Sequence, residues 1–506
     1  MAGTEDGTAA GGNGQARLPE AFLEKMKELL GQEYGAFLET YSQERKKGLR
    51  LNPLKVTGPS EVQMLVKQFG LWKIPWAEEG YYYDEKARPG KHAWHEAGVF
   101  YIQEPSAMAV AEFLEAEPGE KVLDLCAAPG GKTTQIAGKL LGQGLLVSNE
   151  IHPARAKILS RNVERMGIAN AVVTNEEAGT LADRFPAFFD KIVVDAPCSG
   201  EGMFRKDEEA RTQWSREHVL MCARRQGGIL DLAGTMVRPG GRIVYSTCTF
   251  SPEENEGTIS AFLRMHEEYN IEETALEDML SPGRAEWTGQ PAAGIGHTLR
   301  IWPHLQRGEG HFIARLRKRG GGTDAPSEQG VRDTADKKSA GKNGARTSVE
   351  KNTGAGSRIW QVTGDKKSGK LLEGFLREEL EIGEAWMARH PGQIVRFGDQ
   401  IYLMPEEMLS LTGIKVLRPG LQLATEKKNR FEPAHALALS LLSGDSVRAY
   451  ALTDREAVSY LRGESVACGA HKGWTALFYE GYALGFGKAS GGQIKNHYPK
   501  GLRKSL

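Results

Sequence analysis

Two cysteines follow consecutive predicted β-strands and could supply a reactive thiol. Cys198 lies in the segment DAPCSG after one strand, and Cys248 lies in STCT after the next strand. Because the carboxyl ends of parallel strands meet at one edge of a sheet, both thiols are expected beside the same crevice. The chain has five cysteines and no CxxC pair, which argues against a disulfide framework and against a zinc site.

The segment CAAPGGKTT follows an earlier strand of the same predicted sheet and opens a helix. Its small residues, from Cys126 to Lys132, would let a ligand approach the backbone closely. A phosphate-binding P-loop would need glycine in place of Cys126, and a dinucleotide site would need a G-x-G-x-x-G pattern. A third interpretation is a loop for the amino-acid part of S-adenosylmethionine, and a plain strand-to-helix turn is the alternative.

Acidic residues follow three further strand ends and favour the S-adenosylmethionine interpretation. Glu150 closes the second strand, about 20 residues beyond the loop, where a carboxylate can accept both ribose hydroxyls. Glu177 follows the third strand and Asp195 ends the fourth. A single acid at such a position is usually a helix cap or a solvated group. Three acids around one crevice suit a ligand with a ribose, an amino-substituted base and a positive sulfonium.

Methylation of cytosine at C5 would give the thiols a role. C5 is a poor nucleophile until a thiolate adds at C6 and turns C5 into an enamine carbon. Ser251, Pro252 and Glu254 match an N-cap, a first helical position and a capping box. The predicted helix N-terminus would favour a thiolate at Cys248. A methyltransferase acting on amino groups would carry an aromatic residue where Cys198 stands, and two inert buried cysteines are the alternative.

The elements that must position these residues alternate in type along the chain. Short β-branched runs, each followed by a helical or loop segment, predict a mostly parallel sheet with helices on both faces: KVLDL, LLVSNE, AVVTN, KIVVDAP and GRIVYST. The later runs TLRIWP and HFIARLRK are separated by a short loop containing GEG. They predict an antiparallel hairpin at one edge of that sheet.

The length of 506 residues allows about three folding units. The predicted organisation is a disordered Gly/Ala-rich tail 1–17, an N-terminal unit 18–95, a catalytic domain 96–319, a disordered linker 320–357, a middle segment 358–420 and a compact β-rich module 421–506. No run approaches the roughly 18 apolar residues of a membrane span, and the N-terminus lacks the pattern of a signal peptide. We therefore expect a cytoplasmic protein.

Several motifs resemble those of the Nol/Nop/Sun (Fmu) family of RNA cytosine-5 methyltransferases, in its RsmF-like bacterial branch. They are YIQEPSAMA, CAAPGGKTTQ, DAPCSGEGMFRKD, YSTCTFSPEENE, RIWPH and QIKNHYPKGLRK. The resemblance implies an α/β fold with a Rossmann-like S-adenosylmethionine-dependent core, a small N-terminal α/β RNA-binding unit and a C-terminal PUA-like module that binds RNA. It implies methylation of small-subunit (16S) ribosomal RNA, with transfer RNA as the alternative substrate. A catalytically silent assembly factor is disfavoured by the intact Cys248, Cys198 and Lys132.

The resemblance also implies roles for individual residues. Cys248 would be the covalent nucleophile, and Cys198 would assist the release of methylated RNA. The residues implied to contact S-adenosylmethionine are Cys126, Ala127, Ala128, Pro129, Gly130, Gly131, Lys132, Glu150, Glu177 and Asp195. Lys132 and Asp195 would also reach the cytosine, where Asp195 would supply a hydrogen bond or a proton at N3. The family commonly has Asp at the position of Glu177. We expect a monomer that binds no metal.

The distribution of charge along the chain supports an RNA partner, although the net charge does not. Lys plus Arg and Asp plus Glu each total 65, so the net charge is zero, which alone argues against a nucleic-acid partner. From Cys468 to Leu506, however, the chain has six basic residues and one acidic residue. A second basic cluster comprises Arg45, Lys46, Lys47 and Arg50. We expect RNA to contact these two surfaces, with solvated basic faces as the alternative.

Overall fold

The computed structural model describes residues 18–274, 277–320, 360–362, 371–428, 430–469 and 471–504. The tail predicted at 1–17 lies outside these residues, as does all but the first residue of the linker predicted at 320–357. Within the described part of the chain, no helix has both the length and the apolar character needed to cross a membrane.

The N-terminal unit combines helices with a small antiparallel sheet. Its main helices are α1 (Glu20–Leu30), α2 (Tyr34–Glu39) and α3 (Pro59–Phe69). Its strands are β1 (Lys47–Leu51), β2 (Trp72–Lys73), β3 (Gly80–Tyr83) and β4 (Phe100–Ile102), in the order β2-β3-β1-β4. The predicted apolar face of α1 is confirmed, because Phe22, Met26 and Leu30 are buried. The sheet extends past residue 95, where the sequence placed the end of this unit, because β4 pairs with β1.

A large mixed sheet forms the centre of the protein. Its strands up to residue 318 are β5 (Lys121–Asp124), β6 (Leu145–Asn149), β7 (Ala171–Thr174), β8 (Phe189–Asp195), β9 (Val237–Thr247), β10 (Tyr269–Ile271), β11 (Ser281–Pro282), β12 (Leu299–Ile301) and β13 (His311–Lys318). The helices of this region are α4 (Ala93–Glu96), α5 (Pro105–Leu114), α6 (Gly131–Leu140), α7 (Pro153–Arg165), α8 (Ala178–Arg184), α9 (Glu208–Gln213), α10 (Arg216–Met236) and α11 (Glu256–Met265).

The strand order of the central sheet confirms the predicted Rossmann-like core. From one edge it runs β11-β12-β13-β9-β8-β5-β6-β7 and ends on a strand from later in the chain, Val416–Pro419. The pairs from β9 through β7 are parallel, and the hairpin of β12 and β13 is antiparallel, as predicted. The terminal strand pairs antiparallel with β7 and was not predicted.

The β-branched runs form strands because both faces of the sheet are covered. Along β5, Val122 packs into the core on one face and Leu123 into the core on the other, and both are fully buried. Side chains of a strand alternate between the faces, so a continuous apolar run fits a sheet with helices on both sides. The acids that follow these runs therefore lie beyond the apolar residues, at the strand ends.

A five-stranded sheet follows residue 360 and corrects a predicted boundary. Its strands are β14 (Trp360–Val362), β15 (Gln393–Phe397), β16 (Gln400–Met404), β18 (Leu421–Lys427) and β19 (Arg430–Pro433). The intervening strand β17 (Val416–Pro419) belongs to the central sheet. The remaining order is β14-β15-β16-β18-β19, so the boundary predicted between 420 and 421 is wrong. Gly420, with φ +125°, turns the chain so that β18 returns to pair with β16. Two short helices accompany this sheet, α12 (Glu384–Arg389) and α13 (His435–Leu439).

The C-terminal module is β-rich, as predicted. Its sheet has the order β20-β22-β23-β24-β21, with helix α14 (Asp454–Arg462) beside it. The strands are β20 (Ala449–Leu452), β21 (Val466–Ala467), β22 (Gly473–Tyr479), β23 (Tyr482–Ser490) and β24 (Gln493–Asn496). Phe69 and Trp94 share a buried core with Tyr460 and Tyr482, so the N-terminal unit and this module pack against each other.

Candidate active site

The central sheet brings Asp124 and three of the predicted site residues to one edge. Asp124 ends β5, Glu150 follows β6, Asp195 ends β8 and Cys248 follows β9. Cys198 comes from the loop after β8, and its Sγ lies 3.3 Å from Sγ of Cys248. Both thiols are free and partly exposed. The predicted convergence of the two cysteines on one crevice is therefore observed.

Helix α7 holds the glycine loop in shape. Arg155 donates a hydrogen bond of 2.7 Å to the Ala128 carbonyl, and Asn162 donates one of 2.9 Å to the Pro129 carbonyl. Gly130 has φ +112°, and a Cβ there would lie 3.1 Å from Cδ1 of Leu159. Only glycine adopts this backbone readily and leaves the loop close to α7. Helix α6 begins directly after it, so the loop presents its backbone at a helix N-terminus.

Asp124 is a candidate site residue that the sequence analysis missed. One of its carboxylate oxygens accepts a hydrogen bond of 2.6 Å from Thr133, and the other has no partner among the described residues. Burial raises the pKa of this carboxyl to about 7. The available signal was its position, since it is the acid at the end of the first strand of the sheet. Cys126, two residues later, has a thiol whose pKa burial raises, so it remains protonated.

Lys132 and Asp195 form an ion pair between the glycine loop and the cysteine loops. The Lys132 Nζ lies 2.7 Å from Oδ2 of Asp195, and Ser246 donates to Oδ1 at 2.9 Å. Nε2 of the buried His311 lies 3.9 Å from the same Oδ1. Burial alone would raise the pKa of Asp195, but Lys132 and His311 outweigh it and hold the pKa below its ordinary value. Burial likewise opposes the Lys132 charge, yet Asp195 raises the pKa of that ammonium.

The acids after β6 and β7 have different surroundings. The side chain of Glu150 is buried, accepts a 2.9 Å hydrogen bond from the His152 backbone and lies 3.2 Å from Arg155. Glu177 is exposed and directly precedes α8. Its neighbour Glu176 is buried and accepts a 2.6 Å hydrogen bond from the Lys415 backbone. The structure therefore brings Glu150 to the crevice wall and leaves the side chain of Glu177 in solvent.

The predicted capping box after Cys248 does not form. Helix α11 begins at Glu256, and residues 252–255 make a series of turns. Glu254 is fully buried and accepts from the backbone and the hydroxyl of Ser199 instead of capping Ser251. The prediction of a helix N-terminus beside Cys248 is wrong, because the Ser199 donors and Gln226 take both Glu254 oxygens. This network joins the two cysteine loops to each other.

The two predicted basic surfaces are only partly exposed. Arg45 and Lys46 are exposed, but Arg50 is buried on β1 and donates a 2.7 Å hydrogen bond to Thr134. The expectation that Arg50 contributes to a surface is wrong, because its guanidinium supports helix α6. Of the six basic residues from Cys468 onward, Lys472, Lys488, Lys495, Lys500 and Arg503 are exposed, whereas Lys504 pairs with Glu96.

The crevice fits S-adenosylmethionine on its own geometry. The unpartnered oxygen of Asp124 and the buried carboxylate of Glu150 offer acceptors, and the glycine loop presents its backbone at the N-terminus of helix α6. Acceptors suit the ammonium and the ribose hydroxyls of such a molecule. Among the described residues, no group of three or more His, Cys, Asp or Glu side chains could hold a metal ion.

Family profiles match four successive parts of the chain. They are the N-terminal domain of 16S rRNA methyltransferase RsmF at 18–105, 16S rRNA methyltransferase RsmB/F at 111–317, the RsmF rRNA methyltransferase first C-terminal domain at 375–441 and the methyltransferase RsmF PUA domain at 447–504. These matches confirm the resemblance to the RsmF-like branch and the PUA-like C-terminal module.

Individual relatives agree with the profiles. The chain is 32% identical to ribosomal RNA small subunit methyltransferase F of Vibrio vulnificus (strain YJ016), with 96% of this chain and 97% of that relative covered. It is 31% identical to the protein of the same name from Klebsiella pneumoniae (strain 342), with 96% of each chain covered. A solved methyltransferase homolog from Pyrococcus horikoshii is 27% identical, with a TM-score of 0.53, and the match covers 59% of this chain and 95% of that one. The chain therefore belongs to the 16S rRNA methyltransferase RsmB/F family.

Proposed function

We propose that this protein methylates C5 of a cytosine in small-subunit ribosomal RNA through a covalent bond between Cys248 and C6 of the base. The observation that carries the proposal is the pair of thiols, 3.3 Å apart, at the strand ends that also hold the Lys132–Asp195 ion pair. A methyl transfer to an amino group would need neither thiol. The names of the relatives supply the RNA class.

The residues of this chain would activate the base in a defined order. The Cys248 thiolate adds to C6, the π electron pair of the C5–C6 double bond forms a C4–C5 double bond, and the π pair of the C4–N3 double bond moves onto N3. Because the pKa of Asp195 lies below its ordinary value, its carboxylate would accept a hydrogen bond from the base rather than donate a proton. Lys132 carries the positive charge that stabilises the electron-rich ring. S-adenosylmethionine is the cofactor of this family, and when bound it supplies the methyl group for C5.

Release requires the bond between Cys248 and C6 to break after methylation. The C5 proton leaves to solvent, the C5–C6 double bond reforms, and the electron pair of the carbon–sulfur bond returns to sulfur. The hydrogen bond with Cys248, together with burial, raises the pKa of the Cys198 thiol. Cys198 therefore keeps its proton and can donate it to the departing sulfur 3.3 Å away.

Glu150 and Glu177 provide a matched test of the cofactor site. We expect Glu150→Gln to weaken S-adenosylmethionine binding by about 10- to 100-fold, because it removes a buried charged acceptor. We expect Glu177→Gln to weaken binding by less than Glu150→Gln, because the Glu177 side chain is exposed. Isothermal titration of both variants with S-adenosylmethionine measures this. Equal affinities for wild type and Glu150→Gln would contradict the assignment.

The substrate is tested by methylating RNA with the purified protein. With S-adenosylmethionine, we expect 5-methylcytidine in 16S ribosomal RNA or small subunits and none in transfer RNA. Mass spectrometry of the nucleosides detects the product, and bisulfite sequencing locates it. Product in transfer RNA alone, or a different methylated nucleoside, would overturn the proposal.

A further inference from the structure

The turn Glu201–Met203 holds the backbone from the Cys248 carbonyl to the Phe250 amide in a clamp. The Gly202 N–H donates a 2.8 Å hydrogen bond to the Cys248 carbonyl. The Phe250 N–H donates a 3.0 Å hydrogen bond to Oε2 of Glu201. A Cβ on Gly202 would lie 3.0 Å from the Cys248 carbonyl oxygen, so this approach depends on glycine. The position of the Cys248 loop is therefore set by this turn.

The clamp depends on a carboxylate that is entirely removed from solvent. Glu201 has no exposed surface, and its Oε1 accepts hydrogen bonds of 2.8 Å from both Ser251 and Trp214. These donors are neutral, and a buried charge without a counter-charge is costly. Lys25 provides the counter-charge, because its Nζ pairs with Oε1 of Glu201 and donates a 2.7 Å hydrogen bond to Ser251. Burial would raise the Glu201 pKa, but Lys25 and the hydrogen bonds lower it overall.

Lys25 comes from the N-terminal unit, more than 170 residues before its partner. Helix α1 is fixed beside the clamp by aromatic packing, since the Phe22 ring lies 4.9 Å from that of Phe204 and 5.9 Å from that of Trp214. The Lys25 ammonium also lies 5.2 Å from the centre of the Trp214 ring. The positive charge of Lys25 is therefore held in place by helix α1, which is itself fixed by packing.

We infer that Lys25 is a positioning residue for catalysis, through which helix α1 of the N-terminal unit holds the Cys248 loop in its reactive geometry. It acts through Glu201 and touches neither base nor cofactor. This inference rests on the proposed function, since it concerns the loop that carries the proposed nucleophile. Its consequence is that the N-terminal unit contributes to the chemical step as well as to RNA contacts.

The test compares Lys25→Met with Lys25→Arg and with Lys27→Met, whose lysine is exposed on the same helix. Single-turnover methylation of 16S ribosomal RNA gives the rate constant, and titrations give KM for RNA and for S-adenosylmethionine. We expect Lys25→Met to lower the rate constant by about 10- to 100-fold with both KM values within about twofold, because a small misplacement of a reacting group has this effect. Lys25→Arg should recover most of the rate, and Lys27→Met should match wild type.

A second variant separates positioning from a general loss of structure. The double variant Lys25→Met/Glu201→Gln removes both charges. Its rate should fall by less than the product of the falls in Lys25→Met and in Glu201→Gln, because neither charge is then left buried alone. An unchanged rate for Lys25→Met, an equal loss in Lys27→Met, or a raised RNA KM with an unchanged rate constant would overturn the inference. A Cys248→Ala variant with full activity would instead overturn the proposed function, and the two failures are therefore distinguishable.

Discussion

Cys248→Ala should lose methyl transfer by about 10⁴-fold or more, because removal of a covalent nucleophile eliminates the step that makes C5 reactive. Binding of S-adenosylmethionine should change by less than about twofold, since Cys248 is not among the residues expected to contact the cofactor. Tritium transfer from labelled S-adenosylmethionine to RNA measures the first quantity, and calorimetry measures the second.

A matched control for Cys248→Ala is Cys222→Ala. Cys222 is buried on helix α10 and its pKa is raised by burial to about 11, so it is a protonated thiol outside the crevice. We expect this control to keep activity within about threefold of wild type, with only the destabilisation of a small core truncation. Full activity in Cys248→Ala, or an equal loss in both variants, would contradict the role of Cys248.

Cys198→Ala should trap the enzyme on its RNA. Without a proton donor 3.3 Å from Cys248, return of the electron pair to sulfur is slowed, and multiple turnover should fall by about 10²- to 10³-fold. A denaturing gel should show a slowly migrating protein–RNA species that forms within one turnover and disappears on nuclease treatment. The species should be absent from Cys198→Ala/Cys248→Ala, which lacks both thiols.

Two results would contradict the release role of Cys198. One is a variant that loses activity without accumulating the slow species, which would place Cys198 before bond formation. The other is a slow species that persists in the double variant, which would place the bond on another residue. Restoration of turnover by Cys198→Ser would support proton donation, because a hydroxyl can replace the donor.

The strand-end residues could be predicted because the sequence pattern of the central sheet is easy to recognise. Buried parallel strands are short apolar runs, and the residue after each run falls at the same edge. This logic predicts the positions of Glu150, Asp195, Cys198 and Cys248 from the strand pattern alone. The same logic applies to Asp124, which is the acid at the end of the first strand of the sheet.

Local patterns failed where a tertiary partner competed for the same side chain. The sequence around Ser251 satisfies a capping box, yet Glu254 binds the donors of Ser199 from a loop that is distant in sequence. Arg50 belongs to a basic cluster in the sequence, yet it lies within β1 and supports α6 from a buried position. In both cases the deciding interaction joins residues on separate elements, and no local spacing records it.

Contacts between the structural units could also not be predicted from the sequence. Strand β17 is four residues long and carries no signal that it leaves its own sheet for β7. The Lys25–Glu201 pair joins an amphipathic helix to a motif in the catalytic domain, and a lysine on such a helix ordinarily faces solvent. These contacts follow from the packing of the units on one another.

The most direct test of the account is to identify the atom that bonds to the base. Wild-type protein is incubated with S-adenosylmethionine and RNA that contains 5-fluorocytidine, whose fluorine replaces the C5 proton that must leave before release. The complex is digested with protease and nuclease, and the peptides are sequenced by mass spectrometry. The account predicts a methylated fluorocytidine attached to the sulfur of Cys248. Attachment at Cys198, or the absence of any adduct under conditions in which the unmodified RNA is methylated, would contradict it.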